Sequence, residues 1–378
     1  MAAVYAVFIL SGFAFASWAS RIPQVRDALG LSPRALGLVL LATALGSVTS
    51  MPLSGVIVGR IGTARTIAVM ALIAAAGLAT AGLGYRVGVA PVVLGLFALG
   101  VGNGTWDVAM NVEGSAVEQE LGRAIMPRFH AGFSIGTVAG ALVGAAMVTL
   151  GVSATVHLAA VAAIVAVAGP LAVRDFLPEG HASVEHGERR NPLKAWTEPR
   201  TVLIGVFVFA AAFTEGTGND WLGVAIIDGY GAAAALGALT FAIFLAAMTL
   251  GRWFGPGLID HHGRVRTVRI FGALALVGVA LLVWGSTLPV AMAGAALWGL
   301  GTALGFPVGM SAAGDEPAHA PARVSVVATI GYIAFLAGPP LIGFLGQHTG
   351  TLRALTVTGG LIALGLLISG VLRPQPAR

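Results

Sequence analysis

Apolar stretches long enough to cross a bilayer recur along the whole chain and constrain its fold more than any other feature. They run over residues 3–21, 35–58, 66–85, 91–113, 129–150, 154–173, 201–227, 233–258, 268–286, 289–312, 324–347 and 354–372. One crossing takes about 20 apolar residues. The stretches therefore predict an all-α polytopic membrane protein with twelve transmembrane helices.

The scarcity of charge excludes a soluble fold. Of 378 residues, 57% are apolar and 10% are Asp, Glu, Lys or Arg, against about 25% charged in a soluble domain. The Lys and Arg residues are scattered singly, which argues against a nucleic-acid partner. The chain has no cysteine and shows no Ser/His/Asp or metal-ligand spacing, so we expect no enzyme activity, no cofactor and no metal.

The two halves of the chain repeat at an offset of about 200 residues. The matched pairs are Gly62 with Gly263, Arg65 with Arg266, Met110 with Met310, Gly114 with Gly314, and Arg123 with Arg323. This repeat predicts two six-helix bundles, residues 1–173 and 201–378, joined by a polar linker over residues 174–200.

The distribution of positive charge predicts the orientation. Sixteen of the 21 Lys and Arg residues fall on one side of the predicted topology and five on the other. Positive loops stay in the cytoplasm during insertion, so both termini are expected there.

The segment Gly251-Arg252-Trp253-Phe254-Gly255-Pro256-Gly257-Leu258-Ile259-Asp260-His261-His262-Gly263-Arg264-Val265-Arg266 resembles the signature G-x-x-x-D-x-x-G-R-x-R of the major facilitator superfamily. The resemblance covers nearly the whole chain and implies a secondary transporter that works by alternating access. In the first-half copy, Gly59 stands where the acid is expected and Thr63 where the first arginine is.

Three shorter segments resemble a bacterial branch of that superfamily distantly similar to fucose permease. They are residues 21–26 (RIPQVR), 106–114 (WDVAMNVEG) and 129–134 (FHAGFS). The resemblance places an acid of the fourth helix at Asp107 and implies a role in proton coupling, whereas Ala19 stands where that permease has an acid in the first helix. It also implies a bacterial inner-membrane protein whose substrate is a small polar solute, such as a sugar or related metabolite.

A polar stripe lies in the fourth helix. Asn103, Asp107 and Asn111 are spaced i, i+4 and i+8 and share one face. Inserting a charged side chain within a membrane helix costs about 2.5–3.5 kcal/mol. We predict that Asp107 couples transport to protons and that the two amides bind substrate. In the alternative interpretation, Asp107 makes interhelical hydrogen bonds and never titrates.

The seventh helix carries a second polar group. Glu215 and Asn219 share a face of this helix. Glu215 is the second candidate for coupling transport to protons; in the alternative interpretation it forms a purely structural pair. Asp220 lies further out and is predicted to pair with Arg21 when the outer mouth closes, or else to be a solvated charge. The residues predicted to bind substrate, including aromatics that can stack on it, are Asn103, Asn111, Trp106, Asn219, Trp221, Phe306 and Tyr332.

The charged residues around Asp260 indicate a gate rather than a binding site. Its carboxylate can meet the positive N-terminal end of a helix in the opposite half and close the inward mouth, with Arg252, Arg264 and Arg266 beside it. Glu113 lies about 240° around the helix from Asp107. We therefore expect Glu113, with His130, to brace the turn between the fourth and fifth helices.

Together these features predict a monomeric proton symporter whose partners are a small-molecule substrate, protons and the lipid bilayer. Two alternatives remain open. A cavity rich in Phe and Met would favour a proton-antiport exporter of drugs or metabolites. A non-transporting membrane sensor is disfavoured because buried carboxylates are costly in a passive scaffold.

Overall fold

A computed structural model of the chain describes residues 1–121, 125–176, 192–316 and 319–374. These residues form helices and turns, with no strand among them. Residues 177–191 of the predicted linker lie outside the described residues, as does Arg123 of the internal repeat.

Six α-helices form the first half of the described chain. They are α1 (Ala2–Ala19), α2 (Ile22–Leu29), α3 (Pro33–Gly84), α4 (Val89–Leu121), α5 (Met126–Thr149) and α6 (Ala154–Ala172). Serine caps begin two of them: Ser32 accepts from the Ala35 backbone N–H at 3.3 Å, and Ser153 accepts from that of Val156 at 3.3 Å. Such caps satisfy backbone donors that have no partner inside the helix.

Eight α-helices follow. They are α7 (Pro199–Tyr230), α8 (Ala234–His262), α9 (Arg264–Trp284), α10 (Leu288–Thr302), α11 (Gly305–Ala313), α12 (Ala320–Thr349), α13 (Thr351–Ala354) and α14 (Thr356–Ile368). Short 3₁₀ turns cover Val173–Asp175, Pro192–Thr197 and Ser369–Leu372. Helices α10 and α11 lie in one candidate crossing, Leu288–Ala313, and α13 and α14 lie in another, Thr351–Leu372.

The described helices account for the predicted number of crossings. Eleven are long and apolar enough to span a membrane. One of them, α3, has 52 residues, and at about 1.5 Å per residue it would be about 78 Å long, more than twice the thickness of a hydrocarbon core. Gly62 interrupts it with a non-helical backbone at φ 78°. Counted as two crossings, α3 brings the total to the predicted twelve.

The repeat is visible in the backbone at Gly62 and Gly263. Gly62 has φ 78° and ψ 167°, and its repeat partner Gly263, which begins α9, has φ 78° and ψ 159°. A positive φ is readily adopted only by glycine. Both halves therefore turn between their second and third crossings with the same glycine conformation.

The described residues divide into two compact units. The N-terminal unit contains α1–α6 and also residues 233–242 at the start of α8, and the C-terminal unit contains α7, the rest of α8 and α9–α14. The predicted bundle limits of 1–173 and 201–378 stay a prediction.

A stripe of glycines in α5 brings it close to α1. A Cβ added at Gly136 would clash with the Ile9 carbonyl oxygen, and one at Gly140 would lie 2.6 Å from that of Phe13. Small residues let two helix backbones approach in this way, so α5 and α1 pack closely within the N-terminal unit.

Candidate functional site

Asp107 lies in the middle of α4 and is partly exposed. The Asn111 side-chain nitrogen donates to the Asp107 backbone oxygen at 2.7 Å and to its carboxylate Oδ1 at 3.3 Å. The Asp107 side chain has no other hydrogen bond and no ion pair within the described ranges. The predicted i, i+4 contact is therefore present, and this carboxyl group is held by an amide of its own helix and not by a cation.

Two amide oxygens in the membrane helices lack partners. The Oδ1 atoms of Asn103 in α4 and of Asn219 in α7 are buried and accept no hydrogen bond from the part of the chain that is described. A buried acceptor without a partner costs about 1–3 kcal/mol. Each unit thus presents an unsatisfied polar group at a position predicted to bind substrate.

Glu215 in α7 forms an ion pair with Arg252 in α8. Arg252 Nη2 donates to the two carboxylate oxygens at 2.7 and 2.8 Å, and 19% of the Glu215 side chain and 27% of that of Arg252 are exposed. The prediction placed Arg252 beside Asp260 in the cytoplasmic gate, but the acid that Arg252 pairs with is Glu215. Arg252 is eight residues before Asp260, about two helical turns away, and its role in a gate stays a prediction.

The predicted aromatic residues fall into two groups. Phe306 and Tyr332 are partly exposed, and Tyr332 lies 6.3 Å from Phe335 between ring centroids. Trp106 and Trp221 are 0% exposed, which differs from the expectation that they stack on a substrate. Their large indole surfaces are used in packing, so neither ring is available to stack on a solute in this structure.

The start of α9 is tied to the last turn of α11 and to the residues that follow it. Arg264 pairs with Asp315 and also donates to Ser311 at 3.2 Å, and Arg200 pairs with the same Asp315 carboxylate at 3.1 Å. By contrast, Asp260 and Arg266 are exposed, and Asp260 has no ion pair among the described residues. Asp315 was missed by the sequence reasoning, although it directly follows Gly314 of the internal repeat.

In the N-terminal unit, the residue at the repeat position of Arg264 makes its contact through a hydroxyl group. The Thr63 hydroxyl, which stands where the signature has an arginine, donates to Glu113 Oε2 at 2.6 Å. Glu113 is 2% exposed. It joins α4 to α3, whereas the turn into α5 is capped by Glu118, which accepts from the backbone N–H groups of Ile125 and Met126 at 2.6 and 2.7 Å.

Glu118 therefore braces the turn into α5, and the bracing role predicted for Glu113 and His130 stays a prediction. Glu118 sits nearer the end of α4, where its carboxylate reaches the unsatisfied N–H groups that begin α5. His130 is exposed, and its ring meets Phe8 edge-on at 5.3 Å, so it packs α5 against α1.

Arg21 has a partner in its own unit. Its Nε donates to His157 Nδ1 at 2.9 Å, and the residue is 1% exposed. Asp220, the partner predicted for Arg21, is partly exposed on α7 of the C-terminal unit. The closing of an outer mouth by Arg21 and Asp220 stays a prediction.

A charged cluster fixes the start of α7 to the start of α12. Arg323 pairs with Glu198 at 2.6 Å and with Glu316 at 3.2 Å, and Thr201 donates to Glu198 at 2.8 Å. Burial alone would raise the pKa of Glu198, but the hydrogen bonds from Arg323 and Thr201 outweigh burial and lower it. The hydrogen bond from Arg323 is also the main cause that lowers the pKa of Glu316.

A cavity of the C-terminal unit lies among α7, α9, α10, α11 and α14. Its wall is largely apolar and includes Phe207, Phe271, Leu304 and Ile362. None of the residues predicted to bind substrate lines it. The cavity therefore suits an apolar guest better than a polar one.

Twelve crossings, two helical units and charged side chains within the spans define a polytopic membrane protein. The profile of the Major Facilitator Superfamily matches residues 4–288 and 208–378. The chain belongs to this superfamily, and its relatives are named transporters, so it is not an enzyme.

Similar proteins support the same assignment. The uncharacterised transporter y4wD of Sinorhizobium fredii is 31% identical over 98% of this chain and 97% of its own length. An uncharacterised MFS-type transporter of Yersinia pestis is 30% identical over 95% and 91%. Membrane protein MosC of Rhizobium meliloti is 28% identical over 96% and 86%.

Solved structures show the same fold. The nucleoside transporter NupG superposes with a TM-score of 0.76 at 14% identity, covering 99% of this chain and 100% of that one. The E. coli fucose:proton symporter FucP gives 0.65 at 14% identity, over 99% and 98%. At this identity the likeness establishes the fold alone.

Proposed function

We propose that the protein is a proton-coupled secondary active transporter that moves a small polar solute, a sugar or related metabolite, by alternating access. The observation that carries this proposal is the setting of Asp107. A partly exposed carboxyl group inside an apolar helix, bonded to an amide and not to a cation, is free to bind and release a proton during a transport cycle. Intramembrane carboxyl groups commonly mark proton relays in transporters.

The remaining polar groups suit a solute with hydroxyl groups. The buried oxygens of Asn103 and Asn219 accept nothing from the described residues, and a solute hydroxyl can donate to each. Buried polar groups of a site discriminate strongly against ligands that leave them unpaired. Glu215 and Arg252 add a fixed pair of opposite charges in the C-terminal unit. Both oxygens of Glu215 are occupied by Arg252, so this carboxyl group is second to Asp107 as a proton site.

Two structural neighbours agree with this class of substrate. NupG is described as a nucleoside transporter and FucP as a fucose:proton symporter. Both solutes are polar and hydroxylated. Because identity is only 14%, the polarity of the residues around Asp107 supports the proposal more strongly than the names do.

The proposed setting is the bacterial inner membrane, with a monomer whose two termini lie in the cytoplasm. The asymmetry of sixteen against five positive side chains supports this orientation. Cysteines introduced singly at the exposed positions Val87 and His262 test this: position 87 should label from outside in intact cells, and position 262 only after the membrane is permeabilised. Labelling of position 262 from outside would contradict the orientation.

Reconstituted protein tests the function directly. Wild type and Asp107→Asn are first screened for thermal stabilisation by sugars, nucleosides, organic acids and cationic drugs. The stabilising solute is then followed in proteoliposomes, with and without an imposed pH gradient. We expect Asp107→Asn to keep solute exchange at zero gradient and to lose accumulation driven by the gradient.

Glu120→Gln is the matched control, because Glu120 is an exposed acid on the same helix. This variant should behave as wild type. Gradient-driven accumulation that survives Asp107→Asn would refute the coupling role.

The apolar cavity of the C-terminal unit favours a second candidate, a proton-antiport exporter of drugs or metabolites. Its wall of Phe207, Phe271, Leu304 and Ile362 suits a hydrophobic cation. Stabilisation confined to such cations in the same screen, lost on Phe271→Ser, would favour export over the polar-solute transporter.

A further inference from the structure

Arg269 lies inside an apolar span of the C-terminal unit without an acidic partner. It is the sixth residue of the candidate crossing Arg264–Trp284, and it lies about 7.5 Å along the helix axis from the first residue. Arg269 is exposed, and it forms no ion pair with any Asp or Glu among the described residues. A charged side chain within a span is costly unless it reaches water or meets an opposite charge.

One hydrogen bond holds the Arg269 side chain inside the span. Its Nε donates to the hydroxyl of Ser369 at 2.9 Å. Ser369 is 0% exposed and itself donates to the backbone oxygen of Leu366 at 2.7 Å. An arginine near the end of a span usually extends towards water, but this bond keeps the guanidinium group at the seam between α9 and the turn that follows α14. The four N–H groups on Nη1 and Nη2 have no acceptor within the described ranges.

The surface around this seam is apolar. Three residues of α9 are 49, 50 and 67% exposed and follow one another at a spacing of seven, so they share one face of the helix. They are Ile270, Val277 and Trp284. On the neighbouring helix Leu367 is 81% exposed, and a Cβ added at Gly272 of α9 would lie 2.7 Å from Leu366 Cδ2 of α14, so the two helices touch here. An exposed apolar face of this length in a membrane protein contacts acyl chains.

A second arginine lies one turn away on the exposed side of α9. Arg266 is three positions before Arg269 and four before Ile270, so its Cβ atom lies about 5–6 Å from theirs. Arg266 is exposed, and it makes no hydrogen bond or ion pair in the described part of the chain. In the N-terminal unit, the repeat position of Arg266 is Arg65 but that of Arg269 is Ala68. Only the C-terminal unit therefore has two arginines at this place.

We propose that Arg269 and Arg266 bind the phosphate group of an anionic phospholipid whose acyl chain lies along Ile270 and Leu367. Water can accept from the free N–H groups, but it supplies no negative charge. A lipid phosphate does both, because its hydrogen bonds to arginine are charge-assisted and can be bidentate. Basic clusters beside membrane helices recognise anionic head groups in this way. The site does not include Asp107 and is independent of which solute the protein transports.

Thermal unfolding of the purified full-length protein in detergent tests the site. Phosphatidylglycerol, which is anionic, is titrated in parallel with phosphatidylcholine, which is zwitterionic and has the same acyl chains. We expect phosphatidylglycerol to raise the midpoint temperature saturably, by about 2 °C or more above the value in phosphatidylcholine. Inorganic phosphate and glycerol 3-phosphate carry the charge without an acyl chain and should not raise it. An equal rise with either soluble anion would show that the arginines bind a free anion and not a lipid.

Substitutions of the arginine separate the site from the general positive charge of the surface. Arg269→Gln should remove most of the difference between the two lipids, and Arg269→Lys should keep part of it because it keeps the charge. Arg65→Gln is the matched control, because Arg65 is the exposed repeat partner of Arg266 in the unit that lacks the second arginine. This control should keep the full difference. A difference that persists in Arg269→Gln, or that is lost equally in both variants, would overturn the proposal.

Native mass spectrometry counts the bound lipids directly. Wild type purified from a membrane that contains phosphatidylglycerol should retain one more anionic phospholipid than Arg269→Gln after the same detergent wash. The comparison of the two lipids on wild type does not depend on a variant folding. Equal midpoints in phosphatidylglycerol and phosphatidylcholine, with no anionic lipid retained by wild type, would show that only water meets Arg269 and that the proposal is wrong.

Discussion

The ion pair between Glu215 and Arg252 should be energetically coupled inside the membrane region. We expect Glu215→Gln and Arg252→Met each to lower the free energy of unfolding by about 2–3 kcal/mol, since each leaves one charge without its partner. The double variant should cost much less than the sum of the two, because it leaves neither charge behind. The expected coupling energy is about 2 kcal/mol.

This magnitude follows from the geometry of the pair. Arg252 Nη2 lies 2.7 and 2.8 Å from the two carboxylate oxygens, which places the charge centres about 4 Å apart and gives about 4 kcal/mol at an effective dielectric constant of about 20. The exposed fractions of 19% and 27% reduce this value by solvent screening. The expected coupling energy therefore lies between that of a fully buried pair and that of a surface pair. A surface pair is worth about 0–1 kcal/mol.

Denaturant titration of the four proteins in one detergent gives the double-mutant cycle. A second cycle on Arg26 and Asp27 is the control: the pair has the same 2.7 Å separation, but 58% of the Asp27 side chain is exposed, so its coupling should be under about 1 kcal/mol. A coupling energy for Glu215 and Arg252 no larger than that of the control pair would refute the reasoning.

Three further predictions concern the packing and charge of the two units. Thr63→Val should lower the free energy of unfolding by about 1–3 kcal/mol because it removes the hydrogen bond that Thr63 donates to the buried carboxylate of Glu113; Thr63→Ser is the control, and equal stability of the two variants would contradict this. Gly136→Val should lower the unfolding midpoint, because its side chain meets a backbone carbonyl of α1 that cannot move aside; an unchanged midpoint would show that α5 does not need this close approach. Because the pKa of Glu198 is lowered from its ordinary 4.5, its contribution to stability is complete above about pH 4.5 and is lost as the pH falls through the folded-state value. Arg323→Gln should therefore flatten the acid side of the midpoint-against-pH curve, and an unaltered curve would exclude the contribution.

Local composition explains why so much of the fold can be predicted from the sequence. The apolar segments predict the crossings because insertion into lipid depends on the residues of each segment itself. Even the division of the 52-residue α3 is indicated by Gly62, a glycine with a repeat partner at Gly263. The spacing of Asp107 and Asn111 also predicts their contact, since both lie one turn apart on the same helix.

Contacts between helices could not be predicted in this way. Arg252 was grouped with its sequence neighbours, yet it pairs with Glu215, which is 37 residues away. His157 gave no sign of its bond to Arg21, 136 residues before it. Trp106 was expected to stack on a substrate but is completely buried.

The sequence by itself determined the membrane class, the number of crossings, the repeat and the polar stripe of α4, because each of these depends on residues that are close along the chain. Only the tertiary structure decided which charges are paired and which donors are left unsatisfied. A side chain's partner depends on the rotation of its helix and on the neighbour that faces it. Both are set by packing among helices that are far apart in sequence.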